Sequence, residues 1–201
     1  AARRRLLLDA AFARMAEDDG RGSSIDQLCR DASLNKRYFY ESFADLTQLE
    51  HAVVDELAAQ LLAIGLEAAN AGRDAGHSTE QLSRATMTAV LGYLVEDPRR
   101  ARVLFGPTVG GQRAAEHRKA TVRWLARELA KFGHVFHGAT SSEPVAEVAA
   151  ALLIGGSMEV VLSWLDGDIA MSLDQLVDYL AGLWVILGDG AVTLARRAAS
   201  R

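Results

Sequence analysis

Residues 35 to 40 read Asn-Lys-Arg-Tyr-Phe-Tyr, and this run gathers side chains suited to chemistry with a polyanion. Lys36 and Arg37 are cations that pair with phosphate oxygens or with the O6 and N7 acceptors of guanine. Asn35 supplies an amide. Tyr38 can stack on a thymine methyl or donate to phosphate, and Tyr40 adds a second phenol. Ser24 and Thr47 are hydroxyls near expected helix starts, where free backbone amides favour an anion. Arg3, Arg4 and Arg5 form a basic start that suits either an arm in a minor groove or a disordered, solubilising tail. Each of these residues also has a plainer role as solvated charge or partly packed ring.

Catalytic chemistry has less to work with. Of the histidines at 51, 77, 117, 134 and 137, only His134 and His137 are close in sequence. No cysteine or adjacent acid completes a metal spacing around them. The single cysteine, Cys29, excludes an internal disulfide framework and fits a reducing cytoplasm. Dinucleotide, Walker and nucleophile-elbow motifs do not occur, and the glycines from 106 to 111 enclose no lysine. Neither an enzyme nor a metal nor a cofactor is expected.

The chain has 201 residues with 22 basic and 26 acidic side chains, for a net charge of -4. The first 50 carry 8 basic and 9 acidic groups, so attraction to DNA depends on where charge sits rather than on its sum. No apolar run is expected to reach the roughly 20 residues of a membrane span. Neither a secretory signal nor a membrane partner is expected.

Apolar periodicity predicts an all-α chain. Leu7, Leu8, Ala11, Phe12 and Met15 stripe a first helix, ended by Gly20 and Gly22. Ser24 caps a second helix through Ile25, Leu28 and Cys29, and Asn35 a short third through Phe39 and Tyr40. Only a few residues separate these two, with Ala32 small where helices approach and Leu34 packing from the turn. This is the pattern of a helix-turn-helix, or of an ordinary three-helix packing module. A long helix follows Asp45, from Leu46 to about Ile64. Residues 70–78 read as a loop. Further helices pass through Leu82–Leu94, Val103–Phe105, Trp124–Phe132, Pro144–Leu165 and Ser172–Ala195, with a polar linker at Gly138–Glu143.

The segment SSIDQLCRDASLNKRYFYESF, Ser23 to Phe43, resembles the helix-turn-helix of TetR-family transcriptional regulators. LLLDAAFARMAEDDG upstream and Asp45 to Leu49 downstream extend the likeness over the first quarter of the chain. GGSMEVVLSWLDGD followed by SLDQLVDYLAGLW adds a weaker one. The resemblance implies a three-helix DNA-binding domain over residues 1–48 and an effector-binding and dimerisation domain over 49–201. It puts Tyr40 at a tyrosine that contacts the DNA backbone, and Phe43 in the core. Three positions depart from it. Cys29 replaces alanine and is expected as a small buried hydrophobe. Ser33 replaces a turn glycine and is expected at positive φ. Leu46 replaces a phosphate-binding lysine.

The resemblance further implies a cytoplasmic, sequence-specific regulator that binds two-fold related operator DNA as a homodimer. The expected mode is repression, relieved by a small, largely apolar organic ligand. Met87, Val90, Tyr93, Phe105, Trp124, Phe132, Met158 and Trp164 are the candidate ligand contacts, and all suit plain core packing too. His117, Arg123, Glu128 or Glu159 would add a polar group. Candidate dimer contacts are Val148, Leu152, Gly155, Gly156 and Leu162, with Leu176, Leu180, Leu183, Trp184 and Leu187 on the last helix. A constitutive DNA-binding dimer and a helical protein-interaction module remain as alternatives.

Overall fold

A computed structural model describes residues 2–17, 24–106, 111–137 and 144–200, the side chains of 111, 132–137 and 199 apart. Among the described residues run nine α-helices and no strand. They are α1 (Ala2–Glu17), α2 (Ile25–Asp31), α3 (Lys36–Ser42), α4 (Leu46–Asp74), α5 (Thr79–Glu96), α6 (Arg99–Phe105), α7 (Gly111–His137), α8 (Pro144–Leu165) and α9 (Leu173–Ala199). The expected terminator glycines of α1, Pro107 to Gly110 and the Gly138–Glu143 linker lie outside the described residues. The chain packs as two compact units, one from Ala1–Ala59 with Arg99–Thr121, the other from Gln60–Pro98 with Val122–Arg201. Helices α4 and α7 contribute to both.

In the first unit, α1, α2 and α3 close on Leu7, Leu8, Ala11, Leu28, Cys29, Phe39 and Phe43, all buried. Phe39 is fully buried and lies 6.1 Å, ring to ring, from Phe43. Burial of such a ring is worth about 1.5–3 kcal/mol. Cys29 is the expected buried hydrophobe, and burial pushes its thiol up from the ordinary range. Arg14 ties α1 to Asp31 of α2 at 2.7 Å. The basic start is neither arm nor tail in this structure, because Arg3, Arg4 and Arg5 lie in the first turns of α1. Arg5 is drawn onto that helix by Asp9, at 2.8 Å, and by Glu56 of α4.

The second unit is held chiefly by α9 against α5 and α8. The buried Ser83 hydroxyl donates to the Ala181 carbonyl at 3.0 Å, and Arg84 pairs with Asp178 at 2.7 Å. The Trp184 indole donates to the Ser157 hydroxyl at 2.9 Å. Ala126 and Ala130 of α7 meet Ala150 of α8, small residues that let the two backbones close up.

One expected loop is mostly helix. Helix α4 continues to Asp74, so residues 70–74 are helical and only 75–78 connect it to α5. Gly72 is there for packing rather than termination. A Cβ on it would stand 2.7 Å from Leu82 Cδ2 and 3.1 Å from His77 Nδ1. The stop comes at Gly76, with φ +73°. Its amide donates to Arg73, and the amide of His77 to Gly72, the paired bonds of a Schellman end.

Two helices also correct the expectation about membrane length. Pro144–Leu165 and Leu173–Ala198 are long and apolar enough, by length and composition, to cross a bilayer. Both are apolar on more than one face because they pack within the chain on one side and leave apolar residues outside on another.

Candidate nucleic-acid interface

Helices α2 and α3 are set by their caps. Ser24 accepts the Gln27 amide at 3.2 Å while the Gln27 side chain accepts the Ser24 amide at 2.9 Å. This reciprocal capping box is worth about 1 kcal/mol. Asn35 Oδ1 accepts the Tyr38 amide at 3.2 Å and starts α3. Between them Ser33 stands at φ +53°, as its replacement of a glycine predicts. The Ser33 amide donates to Arg30 at 3.0 Å and the Leu34 amide to Cys29 at 2.8 Å. This is the same Schellman closure as at Gly76, built with a serine. It fixes the angle at which α3 leaves α2.

Helix α3 thereby presents Asn35, Lys36, Arg37 and Tyr40 to solvent, and buries Phe39 behind them. Tyr38 is half-buried, with the Arg3 guanidinium 3.9 Å above its ring centre. Arg4 sits 5.2 Å from the Phe43 ring centre. Both cationic side chains of α3 have partners that the sequence reading did not name. Lys36 Nζ lies 2.8 Å from Asp26 Oδ1, and Arg37 Nε lies 3.0 Å from Glu41 Oε1. The hydrogen bond to Asp26 raises the Lys36 ammonium above the ordinary lysine range. The i,i+4 spacing of Arg37 and Glu41 would have revealed the second pair. Asp26 and Lys36 belong to different helices, so only the turn brings them together.

Thr47 is half-buried in the first turn of α4. That turn already has an internal acceptor, since Asp45 Oδ1 takes the Gln48 amide at 2.7 Å. Leu46, where the resemblance implies lysine, begins the helix and supplies no charge.

A scan against family models and a search of curated proteins each found no match. Solved structures did match. A TetR-family transcriptional regulator from Streptomyces coelicolor aligns at TM-score 0.70 and 17% identity, over 99% of this chain and 89% of that one. The fatty acid degradation regulator FadR from Bacillus halodurans aligns at TM-score 0.69 and 16% identity, over 90% of this chain and 97% of that one. The chain has the TetR-regulator fold. FadR from Bacillus subtilis, solved in complex with stearoyl-CoA, aligns at TM-score 0.67 and 16% identity, covering 90% and 97% of the two chains. In this TetR-like fold residues Ser24–Phe43 supply α2, the turn and α3, the elements of a helix-turn-helix.

The candidate ligand contacts separate. Met87 is buried in α5; Val90 and Tyr93 are half-buried on the same helix, and the Tyr93 hydroxyl donates to Gln60 of α4 at 2.7 Å. Trp124 and Met158 are half-buried, while the half-buried Trp164 spends its indole N–H on the Met171 carbonyl at 2.9 Å. These belong to the second unit, whereas the half-buried Phe105 belongs to the first. The Phe132 side chain lies outside the described residues. His117, a candidate polar ligand group, is committed elsewhere in the first unit, 2.8 Å from Asp55 and stacked on His51.

The candidate dimer contacts also divide. Leu176 and Leu180 are buried within the chain, and Leu162 and Trp184 are half-buried. Val148 (59%), Leu152 (61%) and Leu183 (51%) are well exposed, as are Leu187, Gly155 and Gly156. Ile186, at 67% exposure, is one the sequence reading did not single out.

Proposed function

We propose that this chain is a TetR-family transcriptional regulator that binds operator DNA as a homodimer. Residues 1–48 form the reader, and residues 49–201 form the effector-binding and dimerisation domain. The observation that carries this reading is the α3 surface: Lys36, Arg37 and Tyr40 point to solvent on a helix fixed by the Ser33 turn, within a TetR-like fold. Such a helix enters a major groove while the preceding one crosses the backbone. Lys36 and Arg37 exchange Asp26 and Glu41 for phosphates or guanine. Tyr40 donates to phosphate. Arg3 and Arg4, held helically, reach the adjoining backbone, with Ser24, Asn35, Tyr38 and Thr47 as further contacts. A regulator of this kind works in the cytoplasm without catalysis.

Two copies meet through the exposed residues of α8 and α9, which supports reading two half-sites at once. The effector is a small, largely apolar molecule held among residues of the second unit. The stearoyl-CoA seen with FadR of Bacillus subtilis makes long-chain acyl groups the first class to assay. Helix α4 is continuous from Leu46 to Asp74, so a ligand that displaces its later turns also moves its start beside the reader. Release of DNA requires the ligand to prefer the released geometry. A full switch from 99:1 to 1:99 needs about 5.5 kcal/mol of preference, so partial relief of repression is the expected scale for a modest ligand.

The test is titration of a fluorescent duplex pool at about 50 and 200 mM salt, followed by acyl-CoA addition. Salt-sensitive binding supports the reading, and no binding at the lower salt contradicts it.

A further inference from the structure

Within the first unit, the imidazole rings of His51 (α4) and His117 (α7) are stacked, with centres 3.7 Å apart and planes only 8° from parallel. His117 Nε2 lies 2.8 Å from Asp55 Oδ1, one turn along α4 from His51. Thr121, one turn along α7, donates its hydroxyl to the His117 carbonyl at 3.1 Å. His51 Nε2 is buried and has no hydrogen-bond partner. The two rings are therefore unequal. His117 Nε2 has the Asp55 carboxylate beside it, whereas the buried His51 Nε2 has no partner and a neighbouring imidazole lies on its ring face.

Parallel planes leave the in-plane lone pairs side by side instead of aimed at one point, a poor arrangement for chelation. No group of three His, Cys, Asp or Glu residues suited to a metal occurs among the described residues. The arrangement is suited to a neutral His51, whose buried Nε2 has no acceptor and whose face is covered by a second imidazole. A charged His117 is balanced by Asp55, but a second imidazolium at stacking distance meets direct repulsion.

We propose that the His51–His117 stack is an acid-sensitive latch between α4 and α7, closed while His51 is neutral and opened when His51 takes up a proton. Burial is the main force holding His51 below the ordinary histidine range, and the neighbouring His117 acts in the same direction. Asp55 and Asp45, from the α4 side, act against them. The folded state thus takes up this proton less readily than the unfolded chain. The latch contributes fully above about pH 6.5, and its contribution is lost as pH falls below that value. Because α4 starts beside the reader, opening would also disturb DNA binding. That consequence rests on the proposed function; the latch does not.

The test uses the full chain without DNA. The histidine Cε1 protons are followed by NMR, and thermal unfolding is measured from pH 8 to 5, for the parent and for His51→Phe. Phenylalanine keeps a ring for stacking and removes the titrating nitrogen. The expected result is a His51 midpoint below that of a free histidine. The parent should also lose at least about 2 °C more than His51→Phe between pH 7 and 5.5. A His51 midpoint at or above the free value overturns the latch. If the variant does not fold, the parent's NMR titration decides alone. Parallel loss of Tm in parent and variant also overturns it. A separate titration of a duplex pool over the same pH range keeps the two readings apart: no DNA binding at any pH with a normal latch would count against the DNA-reading function and leave the latch standing.

Discussion

Lys36 Nζ of α3 is paired with Asp26 Oδ1 of α2 at 2.8 Å, so the first residue of the proposed reading helix is neutralised by its neighbour. Both side chains are more than half exposed, and exposed pairs of this kind hold weakly. A phosphate can therefore take Asp26's place. Asp26→Asn should free Lys36, remove a repelling carboxylate, and tighten binding to a duplex pool a few-fold. Lys36→Ala should weaken it and flatten the slope of log affinity against log salt by about 0.9. Fluorescence anisotropy across a salt series reads both. Unchanged slopes would remove Lys36 from the interface.

Tyr40 is exposed, with its ring 5.4 Å edge-on from the buried Phe39 ring. The phenol is therefore oriented by the core while its hydroxyl is free to meet a phosphate. Tyr40→Phe keeps the ring packing. It should cost roughly 1 kcal/mol of DNA binding, on specific and pooled duplex alike, with no change in Tm. A lower Tm with unchanged affinity would show that the residue matters only for folding.

Among the described residues, three helix ends close with paired Schellman bonds around a residue at positive φ, namely Ser33, Gly76 and Gly167. Two use glycine, and Ser33 alone carries a Cβ there. Ser33→Gly should raise stability by up to about 1 kcal/mol, after the gain in unfolded-state freedom is subtracted. That is a Tm rise of roughly 2–4 °C. A lower Tm for the glycine variant would show that the serine side chain stabilises the turn.

The outward residues of α8 and α9 should be covered by a second copy. Leu183→Asp with Ile186→Asp should give a folded monomer, because neither side chain is buried within the chain. Leu180→Asp should instead unfold it, since Leu180 is only 5% exposed. Sedimentation equilibrium in detergent-free buffer distinguishes these outcomes. A monomeric parent at micromolar concentration would contradict the interface.

Much of the α2–turn–α3 segment was legible because its signals are local. Ser24 and Asn35 act on amides three residues away, and the exposed Asn35–Arg37 run follows from the burial of Phe39. Ser33 was legible as a departure from the resemblance, since a glycine position marks a backbone angle. What the sequence hid was pairing across elements. Residues 70–78 read as a loop, but Gly72 within them is helical and its role is set by Leu82 on the next helix. Leu180 and Leu183 look alike in sequence, yet only one is covered by the chain itself. His51 and His117 lie far apart in the chain, and no spacing rule joins them.

Selection of bound duplexes from a random pool tests the central claim most directly. A dimer reading through two copies of α3 should enrich two half-sites in two-fold relation, their centres one helical turn, about 10–10.5 base pairs, or a multiple of it apart. Lys36→Ala with Arg37→Ala, which removes both side chains placed to reach guanine, should abolish or change the enriched motif while leaving the protein folded. Enrichment of no motif by the parent, or the same motif selected by the double variant, would contradict the assignment of α3 as the reading helix.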